Sequence, residues 1–156
     1  MTALTPGEDA FRLGIAITRV FDAPRERVWR EWTDPEAFGD WFGGREGVVP
    51  LSTVSMDVRP GGPWSMTMLA GPEGREIHWH GEYREVVVPE RLVFTISDQP
   101  EGDRYELIVV VLRSLADGRT EMTFEQHGLM PPDEYERAGA GWTTFFERLD
   151  ERLAGH

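Results

Sequence analysis

The stretch "AGAGWTTFFERLDERL" at residues 138–153 decides the fold, because it predicts a long helix with one bulky apolar face. Its apolar residues recur at intervals of three and four, the spacing of one stripe of an amphipathic helix. This stripe contains Trp142, Phe145, Phe146, Leu149 and Leu153. Three of these side chains are aromatic and lie within two turns. The pattern leaves two interpretations open: the stripe closes an ordinary core, or it roofs a chamber that holds a ligand.

The composition of the 156-residue chain predicts one globular domain. A hydrophobic fraction of 40% with 11% aromatic residues excludes a disordered chain. No apolar run approaches the ~20 residues of a membrane span. The net charge of −12 argues against nucleic acid and anionic membranes as partners, since both require a positive surface. The absence of cysteine and of a secretory signal pattern predicts a cytoplasmic protein.

Alternating apolar residues predict one antiparallel sheet. The first strand is expected at residues 13–21, with Leu13, Ile15 and Ile17 on one face. From about residue 52 the period is again two, and the "RPGGP" turn at residues 59–63 separates the two strands of a hairpin. About six meandering strands are expected after the first. The sheet has to cover its apolar face, so we expect it to curl around the C-terminal helix.

Two short helices are expected between the first strand and the rest of the sheet. The first begins in "DAPRERVWREW", where Asp22 is a candidate cap and Pro24 suits the first turn. The second lies in "TDPEAFGDWFGG", with Thr33 or Asp34 as its cap. It is expected to end at the glycine pair that starts with Gly43.

Several separate motifs, in the same order along the chain, resemble one known family. They are "PRERVWREWTDPEAFGDWF" (24–42), "RPGGPW" (59–64), "WHGEYREVVVPERLVFT" (79–95), "TEMTFEQHGL" (120–129) and the "GW" pair at 141–142. They look like the activator of heat-shock protein 90 ATPase homologue-like branch of the START and Bet v 1 (SRPBCC) superfamily. The resemblance covers the chain from about Leu13 to Leu153.

The resemblance implies an α+β, helix-grip fold. In such a fold a curved antiparallel sheet of about six to seven strands grips a long C-terminal helix, and two short helices follow strand 1. The chain is then a single domain of residues 1–156, with residues 1–11 expected to form a flexible N-terminal segment. A cavity between sheet and helix is also implied. Relatives on this fold include lipid carriers, hormone receptors and polyketide cyclases, so the fold alone does not fix the activity.

The candidate ligand-binding residues are those expected to converge between the sheet and the C-terminal helix. Strand parity and the helix stripe bring together mainly aromatic and methionine side chains, which fill cores but also line apolar pockets. The set is Trp41, Trp64, Met66, Met68, Trp79, Tyr83, Phe94, Phe124, Gln126, Trp142, Phe145 and Phe146.

Polar residues near the predicted cavity have mostly structural interpretations. If Gln126 points inward it needs a partner, because an unpaired buried amide costs about 1 to 3 kcal/mol; a polar ligand group or a water could supply one. Asp57 and Arg59 are expected to form a salt bridge at the "RPGGP" turn. Glu85 is expected to brace the "VVPERL" turn.

Few residues suggest catalysis or metal binding. His78 and His80 lie two apart on one strand face, but no spacing rule places a third ligand beside them, so no metal is predicted. There is no cysteine nucleophile, no G-x-S-x-G elbow and no Walker A loop. General acid–base work by His80, Tyr83 or Glu85 on a bound carbonyl compound stays open. No catalytic residue is assigned.

Three functions follow from these patterns. The first is a binding module that holds a hydrophobic or aromatic small molecule, without a cofactor. The second is a polyketide cyclase or dehydratase-like enzyme with an acid or base in the cavity. The third is a co-chaperone-like module with a protein partner, which would show an exposed apolar patch or a filled interior. The chain is expected to be a monomer or a homodimer.

Overall fold

The computed structural model describes residues 8–44, 46–99 and 104–154, which form one antiparallel sheet and three α-helices. The strands are β1 (Arg12–Phe21), β2 (Gly47–Val48), β3 (Ser55–Met56), β4 (Pro63–Ala70), β5 (Arg75–Val87), β6 (Arg91–Ile96), β7 (Glu106–Ser114) and β8 (Thr120–Gly128). The helices are α1 (Arg25–Thr33), α2 (Pro35–Trp41) and α3 (Pro132–Ala154). This order confirms the predicted helix-grip fold.

The strands lie in the order β1-β8-β7-β6-β5-β4-β2, and β3 also pairs with β4. Strands β4 to β8 therefore form a meander, and β1 pairs with β8 at one edge of the sheet. Six to seven strands were expected, whereas the described residues form eight. The strand without a predicted counterpart is β2, which is only two residues long and therefore too short to give an alternating pattern. Strand β3 is the first strand of the predicted hairpin, and it pairs with β4 over two residues only.

The two short helices lie where the sequence places them, with one difference at the first cap. Helix α1 begins at Arg25, with Pro24 at the N-cap position and no side-chain cap. The prediction that Asp22 caps it is wrong, because the helix starts too late for that side chain to reach its first N–H groups. Asp34 caps α2 by accepting a hydrogen bond from the Ala37 N–H at 3.0 Å. Gly43 and Gly44 follow the end of α2, as expected, and both have positive φ angles that favour glycine.

A register shift in β1 changes which of its side chains face inward. The pairing with β8 is irregular between Leu13 and Ile15, so Ile15 is buried but Leu13 is 55% exposed. The ring of Tyr135 lies against Gly14, where a Cβ atom would come within 2.4 Å of it. The prediction that Leu13 shares a face with Ile15 and Ile17 is therefore wrong, because regular alternation does not anticipate a bulge.

Helix α3 lies against the sheet and the two short helices with most of its predicted stripe buried. Trp142, Phe146, Leu149 and Leu153 are buried, whereas Phe145 is only partly buried at the edge of the stripe. The stripe and the inner face of the sheet belong to one hydrophobic cluster. No helix among the described residues is both long and apolar enough to cross a lipid bilayer.

Part of the segment expected to be flexible is held against the sheet. Residues 1–7 lie outside the described residues, whereas Glu8–Ala10 form a short 3₁₀ helix. The buried carboxylate of Glu8 accepts hydrogen bonds from both terminal nitrogens of Arg84, at 3.0 and 2.8 Å, and a further one from the Tyr105 hydroxyl. These bonds fasten residues 8–10 to β5.

Candidate functional site

Aromatic rings fill the space between the sheet and α3. The ring centroids of Phe124 and Trp142 are 4.6 Å apart, and those of Phe124 and Phe146 are 5.1 Å apart. Trp32 of α1 lies at the centre, with its ring 4.8 Å from that of Trp41. Rings at these separations are in van der Waals contact. The interior of this structure is therefore a packed aromatic cluster rather than a wide chamber.

Trp32, which is not among the binding residues expected from the sequence, lies at the centre of the cluster. It is 1% exposed, and its ring packs against six aromatic rings: Phe38, Trp41, Phe94, Phe124, Trp142 and Phe146. The available signal was the spacing of Val28 and Trp32, which shows an apolar edge on α1. That spacing does not show how far the edge reaches into the interior.

All the predicted ligand-binding residues lie in or against this cluster or its wall. Trp41, Trp64, Met66, Met68, Tyr83, Phe94, Phe124, Gln126, Trp142 and Phe146 are buried. Trp79 and Phe145 are partly buried and pack against the cluster. Their role in binding a ligand stays a prediction.

Phe42, Trp79 and Phe145 form the place where the cluster meets the surface, and we call these three residues the mouth. The ring of Phe42 is buried, with its centroid 6.0 Å from that of Trp79 and 5.1 Å from that of Phe145. Behind it, the ring of Trp142 lies 5.7 Å from Phe42. The backbone of Gly44 passes close to Phe145, since a Cβ there would lie 3.3 Å from the ring. A continuous series of rings thus joins the surface to the centre.

The buried tryptophans differ in how their indole N–H groups are bonded. Trp41 donates to the Glu31 carbonyl at 2.8 Å, Trp64 to the Thr95 carbonyl at 2.9 Å. Trp142 donates to the Gln126 side chain at 2.9 Å. Among the residues that the structure describes, no acceptor partners the buried Nε1 atoms of Trp32 and Trp79.

Gln126 points inward as predicted, and the protein itself supplies its partners. Its Oε1 accepts from Trp142, and its Nε2 donates to Glu106 Oε1 at 3.1 Å. The Tyr135 hydroxyl donates to the same carboxylate oxygen at 2.7 Å and accepts from the Met130 N–H at 3.3 Å. Burial and the bond to Glu106 raise the pKa of Tyr135 to about 12. A chain of hydrogen bonds thus runs from the aromatic cluster to the start of α3.

The three candidate acid–base residues do not converge. His80 bonds to the Gln99 carbonyl at 2.6 Å, and it lies on the strand face opposite Trp79. Glu85 forms an ion pair with Arg91 at 3.2 Å. Only Tyr83 belongs to the buried cluster, where burial and the nearby carboxylate of Asp57 raise its pKa. A phenol of this kind stays protonated at neutral pH, so it can donate a hydrogen bond but is a poor base.

The remaining polar candidates have structural partners. Arg59 and Asp57 form the predicted salt bridge at the turn, at 2.9 Å. The ring of His78 is exposed and lies 3.0 Å from the Thr67 hydroxyl, on the opposite face of the strand from Trp79. Within the described ranges, no group of three or more His, Asp or Glu side chains is arranged to hold a metal ion.

A groove of about 650 Å³ lies outside the interior, between β1 and α3. Leu13, Ile15 and Met130 contribute apolar surface to it, and Arg12 and Glu136 contribute charge. The sequence did not indicate this groove, because it depends on the bulge at Gly14 and on β1 lying at the end of the sheet.

Comparisons with known proteins agree with this architecture. The family model described as "Activator of Hsp90 ATPase homolog 1-like protein" matches residues 22–154. A solved structure from Chromobacterium violaceum is 29% identical, with a TM-score of 0.78, and the match covers 89% of this chain and 95% of that one. A protein from Nitrosomonas europaea is 26% identical, with 97% of each chain covered and a TM-score of 0.77.

A more distant match shows the fold alone. The AHSA1 protein of Silicibacter pomeroyi is 22% identical, with a TM-score of 0.78 over 90% of this chain and 96% of that chain. No curated protein matches the sequence at a significant level.

Proposed function

The chain belongs to the family of activator of Hsp90 ATPase homolog 1-like proteins, and from this premise we propose that it binds an apolar or aromatic small molecule between its sheet and α3. The main observation in support of the proposal is the arrangement of aromatic rings at the mouth. There, two partly exposed rings, Trp79 and Phe145, pack against the buried ring of Phe42 and lead to the central aromatic cluster. Aromatic walls of this kind are typical of sites for apolar ligands.

Binding requires side chains to move, because the rings of the cluster are in contact. Phe145 is the natural element to move, since it lies at the edge of the α3 stripe and is only partly buried. Met66 and Met68 lie in the same cluster, and their unbranched side chains adapt to a new neighbour more easily than rings do. The ligand would thus stabilise an open arrangement that is a minor conformation of the free protein.

The structure bears differently on the two alternative functions. An enzyme of the cyclase or dehydratase kind needs an acid or a base in the interior, and the raised pKa of the buried candidate, Tyr83, makes it a poor base. A co-chaperone-like module would show an exposed apolar patch or a filled interior. The packed aromatic cluster agrees with the second of these, and Leu13 and Leu129 are exposed apolar residues that a partner could contact. The cytoplasmic location, the absence of a cofactor and the oligomeric state stay predictions.

A neutral apolar fluorophore, N-phenyl-1-naphthylamine, tests the proposal directly. We expect saturable fluorescence enhancement with the wild-type protein, and a several-fold faster association rate with the Phe145→Ala variant, because that change widens the mouth. The matched control is Phe11→Ala, which removes another partly buried ring, one that packs on Tyr105 at 5.6 Å, away from the mouth.

Two results would contradict the proposed function. One is the absence of saturable binding to both the wild-type protein and Phe145→Ala. The other is an equal change in association rate for Phe11→Ala and Phe145→Ala, which would place the probe at nonspecific surface sites.

A further inference from the structure

Among the residues that the structure describes, the indole groups of Trp32 and Trp79 are buried donors without a protein acceptor; the Nε atom of Arg25, at the start of α1, is a third such donor. Each Nε1 atom is buried, and no described residue accepts a hydrogen bond from it. Three other indoles in the same region, those of Trp41, Trp64 and Trp142, donate to an oxygen at 2.8 to 2.9 Å. Trp32 and Trp79 differ from these three in that their buried Nε1 atoms have no such acceptor. A buried donor without a partner is unfavourable and calls for a specific explanation.

These two donors mark the two ends of one route. Trp79 belongs to the mouth, where its ring packs against Phe42. Trp32 lies at the centre, where its ring is 6.4 Å from that of Trp142. Phe42 and Trp142 are themselves in contact, at 5.7 Å, and so join the two ends. A molecule that enters at Trp79 and displaces rings along this series would arrive at the ring of Trp32.

We propose that Trp32 and Trp79 are the specificity-determining residues of this site, and that they select a flat, neutral ligand that carries a carbonyl oxygen. This inference rests on the proposed function and adds the chemical class of the ligand. The rings supply the apolar contact area, and the indole N–H of Trp32 donates a hydrogen bond to the carbonyl oxygen at the buried end. Trp79 donates to a second acceptor, where the ligand has one, at the mouth.

The charge of the site favours a ketone or quinone over a carboxylate. Both donors are neutral N–H groups, and the protein carries a net charge of −12. Burying an anion against neutral donors is costly unless a cation pairs with it. Trp142 is linked through Gln126 to the acidic residue Glu106, which adds to the penalty for a buried anion. Fatty acids and aromatic acids are therefore expected to bind less well than neutral carbonyl compounds of the same shape.

A competing explanation for Trp32 is that its N–H faces an aromatic ring. Its ring meets that of Trp41 nearly edge to face, with an interplanar angle of 76°. An N–H that faces a ring makes a weaker contact than one bonded to an oxygen. The two explanations differ in one respect: only the proposed one makes Trp32 sensitive to the oxygen of the ligand.

The test uses three probes of one shape: 1-acetylnaphthalene, 1-ethylnaphthalene and 1-naphthoate. Each probe is titrated in competition with bound N-phenyl-1-naphthylamine on the wild-type protein, on the Trp32→Phe variant and on the control Trp29→Phe. Trp29 is a neighbouring tryptophan on α1. We expect the affinity ratio of the ketone to the hydrocarbon to fall about tenfold in Trp32→Phe and to stay unchanged in Trp29→Phe, since one buried hydrogen bond is worth about that factor. The naphthoate is expected to bind more weakly than the ketone.

A second readout does not depend on the variants folding. The six tryptophans give six indole N–H resonances in a ¹⁵N-labelled sample, and we expect the ketone to shift those of Trp32 and Trp79 downfield, whereas the hydrocarbon does not. If Trp32→Phe does not fold, these wild-type resonances and the Trp79→Phe variant carry the test.

The outcomes separate the two proposals. Equal affinity ratios in all variants, with no downfield shift, would overturn the donor role and leave an N–H that faces a ring or is bonded to water. That result would leave the proposed function standing, because the probes still bind. Failure of both neutral naphthalenes to displace the fluorophore would overturn the proposed function and the ligand class together.

Discussion

Phe145 and Phe146 provide the sharpest test of where the interior is packed and where it opens. They are adjacent on α3, so substitution by alanine makes the same chemical change in the same helix. Phe146 is fully buried, with its ring 5.1 Å from that of Phe124 and 5.7 Å from that of Trp142. Phe145 is only partly buried and contacts Phe42 at the mouth. We predict that the two variants lose very different amounts of stability.

The magnitudes follow from burial. Phe146→Ala removes a benzyl group from a closely packed site and leaves a cavity among rings, which typically costs about 3 to 5 kcal/mol. Phe145→Ala removes a ring that solvent already reaches, so the cavity term is small and the loss is about 1 to 2 kcal/mol. The difference in helix propensity between phenylalanine and alanine is the same at both sites and cancels. The expected gap is therefore about 2 kcal/mol.

Urea unfolding followed by circular dichroism measures this gap. With an m-value of about 2 kcal/mol/M, it corresponds to midpoints that differ by about 1 M. Equal losses in the two variants would refute the placement of the mouth at Phe145. A loss below about 1.5 kcal/mol for Phe146→Ala would refute the conclusion that rings fill the interior.

Two further predictions concern the edges of the cluster. Arg152→Met should destabilise the protein by about 3 kcal/mol in urea unfolding, because it removes the guanidinium that donates to the buried carboxylate of Glu31 at 2.6 Å. The control Arg137→Met, at an exposed ion pair, should change the free energy of unfolding by less than about 0.5 kcal/mol. Similar losses in both variants would contradict the role of burial. The pKa of Tyr135 is raised to about 12, so the folded state holds the phenolic proton more tightly than the unfolded state, and stability should fall as pH rises from about 10 to about 12. The Tyr135→Phe variant should show a smaller fall in thermal midpoint over that pH range. Parallel pH profiles for the wild-type protein and the variant would contradict this prediction.

The repeating features of the sequence predicted the helix stripe and the strand order. Trp142 and Phe146 are buried as their spacing requires, and the same spacing predicted that Phe145 belongs to the stripe. The spacing did not show that Phe145 lies at its edge, because burial at an edge depends on neighbours from other elements. Here those neighbours are Phe42 and Gly44, which lie about a hundred residues earlier in the chain.

Features that depend on contact between distant segments were not accessible from the sequence. Leu13 was expected on the same face as Ile15, but the bulge at Gly14, where the Tyr135 ring packs, turns Leu13 to the exposed face. Trp32 gave only a local apolar edge, and its central position follows from how α1 lies over the sheet and α3. The bonding state of each indole is likewise a tertiary property, since its acceptor comes from another element of the chain.

The pairing of β1 with β8 has a consequence for how the protein is made. Arg12 lies opposite Gly128, so the first long strand cannot find its partner until the residues of β8 have left the ribosome. Helix α3 is synthesised later still, and until then the aromatic side chains of α1 and α2 are not covered by the helix that they pack against. Such long-range pairing slows folding and leaves apolar surface exposed to other molecules. The fold is therefore completed only after α3 has been synthesised and has docked, and the period before α3 docks is when the chain is most prone to aggregate.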